Sequence, residues 1–137
     1  MTSPDPVYRI LDANLNRCRE VLRVIEEYFR FVKNDSALSI ALKSIRHSLK
    51  EIEEGLGREK LLENRDTGSD CFAGENRPEE MSRADQSDIL TASFKRAQEA
   101  ARVIEEYTKI TPLPQLSEKA KQSRFILYTI EQKCVDR

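Results

Sequence analysis

The stretch ILDANLNRCREVLRVIEEYFRF, residues 10 to 31, aligns without a gap on ILTASFKRAQEAARVIEEYTKI, residues 89 to 110, at a constant offset of 79. Eleven of the 22 positions are identical, more than chance gives. A second stretch, LSIALKSIRHSLKEIE at 38 to 53, aligns on LSEKAKQSRFILYTIE at 116 to 131 with an offset of 78. A unit of two consecutive helices has therefore been duplicated. Positions where the copies agree serve a shared scaffold. Polar side chains present in one copy only are where a specialised task would sit.

Helix signals bound both copies. Asp5 followed by Pro6 reads as an N-cap with proline at the first helical position, and periodic apolar residues run on to about Val32. The turn Asn34, Asp35, Ser36 starts a second helix. Its stripe of Leu38, Ala41, Leu42, Ile45, Leu49, Ile52 and Leu56 ends near Gly55 and Gly57. A third helix is predicted over about 87 to 110 and ends at the TPLP turn. Pro114 is placed to open a fourth, lined by Leu116, Ala120, Leu127, Ile130 and Cys134. The expected fold is all-α, a four-helix bundle of two duplicated hairpins, about 6–56 and 87–135, joined by a long crossover loop, 57–86. One domain, 1–137, accommodates it.

Composition narrows the function classes. The chain has 23 Lys plus Arg against 24 Asp plus Glu, a net charge of −1, so no global basic field points to nucleic acid or an anionic membrane as the main partner. No long apolar run or secretory leader is seen, and a cytoplasmic location is the expectation. Cys18, Cys71 and Cys134 show no CxxC spacing and read as free thiols. Walker A, GxGxxG, GxSxG, HExxH and HRD patterns do not occur.

The crossover is far longer than a bundle requires. It carries Arg65, Asp66, Thr67, Gly68, Ser69 and Asp70, with Gly74 and Arg77 beyond. Two readings are open there. One is a solvated surface connector. The other is an anion or metal–phosphate site, because a guanidinium grips phosphate oxygens bidentately while carboxylates hold Mg²⁺ against them.

The first helix supplies a second clue. At about 100° per residue, Asn14 falls inside the apolar arc and Arg17 on its border, so a polar pocket shared by the two is expected. The alternative is an Asn14 that hydrogen-bonds within the core. Arg17, Glu20, Arg23, Glu26 and Glu27 recur as Arg96, Glu99, Arg102, Glu105 and Glu106, which suggests scaffold ion pairs, Glu20 with Arg17 or Arg23. Asp12, Asn14 and Asn16 become Thr91, Ser93 and Lys95, and that trio is the better binding candidate. His47, the only histidine, points away from the apolar stripe and is expected to be exposed. Arg46 and its counterpart Arg124 lie nearer the core edge, within reach of a ligand or a carboxylate. Phe125 takes the outward position of His47 near Tyr128, a hint of a subunit contact and of a homodimer.

LDANLNRCREVLRVIEEY, SIRHSL, RDTGSD and ILTASFKRAQEAARVIEEY together resemble the small helical hydroxymethylpyrimidine phosphate kinases of thiamin biosynthesis, over about residues 8 to 133. That domain also occurs fused in front of thiamine phosphate synthase. The resemblance implies transfer of a phosphoryl group from ATP to hydroxymethylpyrimidine monophosphate, giving the diphosphate, with Mg²⁺ as cofactor. On that basis Arg65 and Arg17 are expected to grip phosphate and Asp66 and Asp70 to hold the metal. Asp12, Asn14, Asn16, Arg46 and Thr67 are expected to contact substrate. The chain departs from the family pattern at Cys18 and Val21, where a small residue often stands, and at Cys71 and Phe72, where Val-Gly follows the loop aspartate. Three other roles stay open: a noncatalytic module that docks or dimerises a thiamine phosphate synthase, a regulatory domain that binds the pyrimidine phosphate, and a plain interaction bundle.

Overall fold

Asp5 caps the first helix as its position before Pro6 requires: its carboxylate accepts from the Val7 amide at 2.9 Å. The computed structural model describes residues 5–75 and 82–135, which form helices and turns with no strand among them. Helix α1 spans Pro6–Glu27, α2 Ser36–Leu56, α3 Arg58–Glu63, α4 Gln86–Thr108 and α5 Leu116–Val135. Asp35 caps α2 through the Leu38 amide at 3.0 Å. Asp85 caps α4 through Asp88 N, whose own carboxylate accepts from Ala84 N at 3.0 Å, so two otherwise unpaired amides are satisfied reciprocally.

α1 packs most extensively on α4, α4 on α5, α5 on α2, and α2 back on α1. The predicted α2 stripe is what lies inside: Leu42, Ile45, Leu49, Ile52 and Leu56 are buried, with Leu38 and Ala41 half-buried. Facing them are Leu11, Leu15, Cys18, Leu22 and Ile25 of α1 and Phe94, Ala97, Ala101 and Ile104 of α4. Each fully buried Leu or Ile contributes roughly 1.5–3 kcal/mol relative to exposure. Truncating one of them, such as Leu22→Ala, would cost about 2–5 kcal/mol with its cavity.

Three sequence expectations are corrected. α1 does not run as a uniform α-helix to Val32, because Tyr28–Val32 form a wider π turn. Lys33 N bonds Tyr28 O at 3.1 Å and Asp35 N bonds Phe29 O at 2.8 Å, which carries the chain through Asn34 at φ 52° into α2. The first part of the crossover is not loop. Gly57, at φ 96°, stops α2 in a conformation that favours glycine, and α3 follows at once. Its Leu61 is buried and its Lys60 lies 4.2 Å over the Tyr8 ring. Glu20 makes no ion pair with Arg17 or Arg23. Arg23 instead reaches forward to Glu26 at 3.7 Å and Glu27 at 3.6 Å, and Arg102 repeats this with Glu105 at 3.8 Å and Glu106 at 3.4 Å.

Candidate functional site

Asp12 stands on the side of α1 that faces α3 and the crossover, and it is buried. A carboxylate there needs a partner, and Arg65 supplies it as a fork: Nε donates to Oδ2 at 2.7 Å and Nη2 to Oδ1 at 2.8 Å. The carboxylate hydrogen bond, and then its charge, push the already basic Arg65 guanidinium higher still. Nη1 makes no hydrogen bond to a described residue and keeps its donors for a second acceptor. The clamp ties the start of the RDTGSD segment to α1 across 53 positions of sequence.

The network continues along α1. Asn16 Nδ2 donates to Asp12 Oδ1 at 3.4 Å. Arg19 closes on both the Asn16 amide oxygen and the Glu53 carboxylate, linking α1 to the last turns of α2. Asp12, Asn16, Arg19, Glu53, Arg58 and Arg65 border a cavity of about 300 Å³. A second cavity, of about 410 Å³, lies between α1 and α2, shares Arg19, Glu53 and Arg58 with the first, and adds Lys43, Arg46, His47 and Lys50.

The loop beyond Arg65 is held by Arg9 of α1 and by its own aspartate side chains. Arg9 Nη2 donates to Asp66 O at 2.9 Å, Asp66 Oδ1 accepts from Ser69 N at 3.1 Å, and Asp70 Oδ1 accepts from Phe72 N at 2.9 Å. The last two are turns closed by aspartate side chains. Each leaves its second carboxylate oxygen without a partner among the described residues. Thr67 is exposed and gives only its carbonyl, to Asp70 N at 3.3 Å. Among the described residues no three His, Cys, Asp or Glu side chains converge. Arg77 lies outside the described residues.

The structure therefore brings Asp12, Asn16 and Arg65 together and keeps others apart. Asn14 is buried, but its amide donates to Ile10 O at 2.9 Å within its own helix. Arg17 is exposed, so the polar pocket expected between the two is not formed. The 60° that separates positions three apart on a helix is enough to put one inward and the other in solvent. Arg46 reaches a carboxylate, that of Glu26: Nη2 donates to Oε1 at 3.0 Å, while Nε and Oε2 sit 2.8 Å apart but misaligned for a hydrogen bond and are held by charge. His47 is exposed as expected, 3.7 Å from Glu51, yet it lies on the rim of the larger cavity. Sequence reasoning missed Arg19, Lys43, Lys50, Glu53 and Arg58. The signal was in the repeat, since Arg19 and Lys50 become Gln98 and Tyr128.

Comparison with known proteins follows the same boundaries. The sequence profile of the ThiD2 family matches residues 9–133. The thiamine-phosphate synthase of Thermosynechococcus vestitus is 47% identical over 124 residues, 90% of this chain and 34% of that protein. That of Nostoc punctiforme is 42% identical over 125 residues, 91% of this chain and 34% of the relative. That of Rhodopirellula baltica is 45% identical over 103 residues, 75% and 28% respectively. The chain thus spans about a third of the length of the curated relatives it matches. No solved structure matches it. None of the described helices is long and apolar enough to cross a membrane.

Proposed function

The chain belongs to the ThiD2 family, and from that premise we propose that it acts in thiamin biosynthesis, transferring a phosphoryl group from ATP to hydroxymethylpyrimidine monophosphate. The observation that carries this reading is the Arg65–Asp12 clamp, which fixes an Arg-Asp-Thr-Gly-Ser-Asp segment beside a cavity where Arg19, Arg58 and Arg65 stand among Asp12, Glu53 and Glu59. Phosphoryl transfer asks the protein mainly to neutralise charge and to hold donor and acceptor in line. Arg65 keeps Nη1 for a phosphate oxygen while its other nitrogens hold the loop. Arg17, exposed on α1, is a further phosphate contact in this reading, and Asn14, Asn16, Arg46 and Thr67 are substrate contacts. Mg²⁺ would be held by the open carboxylate oxygens of Asp66 and Asp70 and would screen charge on the phosphates. The acceptor phosphate is anionic at neutral pH, so no general base is needed, in keeping with an only histidine that is exposed. In the same reading the four long helices are one bundle built from a duplicated hairpin, and the protein works in the cytoplasm.

A second reading is favoured by a separate observation. Phe125 and Tyr128 are exposed on α5 with ring centroids 6.1 Å apart, and Ile126 is exposed beside them. Such a patch suits a noncatalytic domain that docks a thiamine phosphate synthase, or pairs with a second copy. One experiment separates the two. The purified chain is mixed with ATP, Mg²⁺ and the pyrimidine monophosphate, and phosphorus NMR is followed. ADP and the pyrimidine diphosphate appearing together support the kinase; no diphosphate at millimolar substrate refutes it.

A further inference from the structure

The larger cavity between α1 and α2 holds more positive charge than the fold can use. Lys43 and Lys50 lie two turns apart on α2, on one face with Arg46 and His47 between them. Arg58 comes over from α3, which Gly57 turns back beside α2. Arg46 is matched by Glu26 and Arg19 by Glu53. Glu51 sits 3.2 Å from Lys119 and 3.7 Å from His47. That leaves Lys43, Lys50 and Arg58 with no carboxylate partner among the described residues, all opening on about 410 Å³ of groove. Like charges gathered on one helix face raise the energy of the folded chain unless something offsets them.

A solvated cationic face would be the plain account, and the repeat tests it from inside the molecule. At the equivalent positions of α4 and α5, Arg19 is Gln98, His47 is Phe125 and Lys50 is Tyr128, while Lys43 and Arg46 are kept, as Lys121 and Arg124. The scaffold contacts survive this exchange. Arg124 holds Glu105 at 3.0 Å as Arg46 holds Glu26, and Gln98 holds Glu131 at 2.9 Å where Arg19 holds Glu53. The same helix pairing is thus built with glutamine and aromatics in one half and with cations in the other. Packing does not demand the cations.

We propose that the α1–α2 groove of the first half is a binding site for the phosphate group or groups of a small ligand, with Lys43, Lys50 and Arg58 as the gripping cations and Arg19 as its paired floor. The choice of ligands to test rests on the kinase reading above, whereas the geometry of the groove does not. Guanidinium and ammonium groups at a groove open to water bind phosphate oxygens with charge-assisted hydrogen bonds, and the binding weakens with salt. The adjoining cavity at Arg65 and Asp12 shares Arg58, so a ligand anchored in the groove extends toward the loop.

The test uses the whole chain and three probes by calorimetry: tripolyphosphate, ATP with Mg²⁺, and the pyrimidine monophosphate. Two variants install what the second half already carries or remove a groove cation, H47F/K50Y and Arg58→Gln, and Lys121→Gln in the second half is the control. Circular dichroism confirms that each is helical. Affinity for at least one probe is expected to fall about tenfold or more in both groove variants, and to stay within about twofold in the control. Loss confined to tripolyphosphate and ATP assigns the groove to the nucleotide, and loss confined to the monophosphate assigns it to the acceptor. Unchanged affinity for all three probes in folded groove variants, or an equal loss in the control, overturns the proposal. Binding without any diphosphate formed would refute the kinase reading alone. Diphosphate formed at the normal rate and affinity by the groove variants would refute the groove alone.

Discussion

The thiol of Cys18 lies against the backbone carbonyl of Ala97, with Sγ 3.6 Å from the oxygen, and these two residues are each other's counterparts in the repeat, 79 positions apart. Both are fully buried. The contact brings α1 and α4 together at equivalent positions of the sequence repeat. The approach is close enough for a sulfur to touch backbone, which restricts both positions to small side chains. The departure of Cys18 from the family pattern is therefore a modest one in volume.

Burial pushes the Cys18 thiol from its ordinary 9.0 up to about 12. A group held neutral in the folded chain adds stability that is complete below the unfolded value and is lost as pH rises through the folded one. Stability against urea should then decline between about pH 9 and 12, by at most about 1.4 kcal/mol per pH unit from this group, and Cys18→Ala should flatten that part of the profile. A thiol reagent at pH 8 should label the exposed Cys71 quickly and Cys18 only after unfolding. Rapid labelling of Cys18 in the folded protein would contradict its placement.

The two buried arginine–glutamate pairs are equivalent in sequence but not in depth. Arg124 and Glu105 are 10% and 7% exposed, whereas Arg46 and Glu26 are 25% and 11%. Removing one partner of a buried pair strands the other charge at a cost of about 3–5 kcal/mol. Glu105→Gln should approach that loss in chemical denaturation. Glu26→Gln should cost clearly less, because Arg46 can turn toward the groove and water. Equal losses would mean that groove access gives Arg46 no relief.

The helices were legible because packing imposes a period on sequence: every position from Leu42 to Leu56 in the α2 stripe is buried. The six residues of α3 were not, since REKLLE is shorter than two turns and forms through Gly57 and the burial of Leu61, both set by the surrounding fold. At the site, Asp12 was singled out by its absence from the second copy, and the structure adds Arg65 as its partner. Nothing local links positions 53 apart. Asn14 sat correctly inside, yet periodicity reports burial and not what a buried amide bonds. The groove cations Lys43, Lys50 and Arg58 were passed over because charged residues on an outer face look alike until a cavity places them together.

Arg65→Lys tests the clamp with charge retained. Lysine offers a point charge where the guanidinium offers a fork matched to Asp12. Because Arg65 is 42% exposed on its side chain, solvent moderates the loss, and about 1–2 kcal/mol of stability is expected. Turnover in the diphosphate assay should fall more steeply than stability, since the loop is what loses its anchor. A variant with a loosened loop, seen as faster hydrogen exchange over residues 64–75, but full activity would separate the clamp from the chemistry.

Asp66 and Asp70 close the turns of that loop with one carboxylate oxygen each, and the kinase reading gives their second oxygens to Mg²⁺. Asn at either position keeps an oxygen for the backbone amide and so preserves the turn, while it removes the negative charge a metal needs. Asp66→Asn and Asp70→Asn should then lower kcat by about tenfold or more and change the KM for the pyrimidine little, because charge neutralisation matters most as charge shifts toward the transition state. Hydrogen exchange over residues 64–75 should slow in the wild type when ATP, Mg²⁺ and the pyrimidine phosphate are present together, and slow less in the variants. If both variants keep wild-type kinetics and exchange is indifferent to ligands, the aspartates serve only their turns, and the loop is a connector pinned by Arg65.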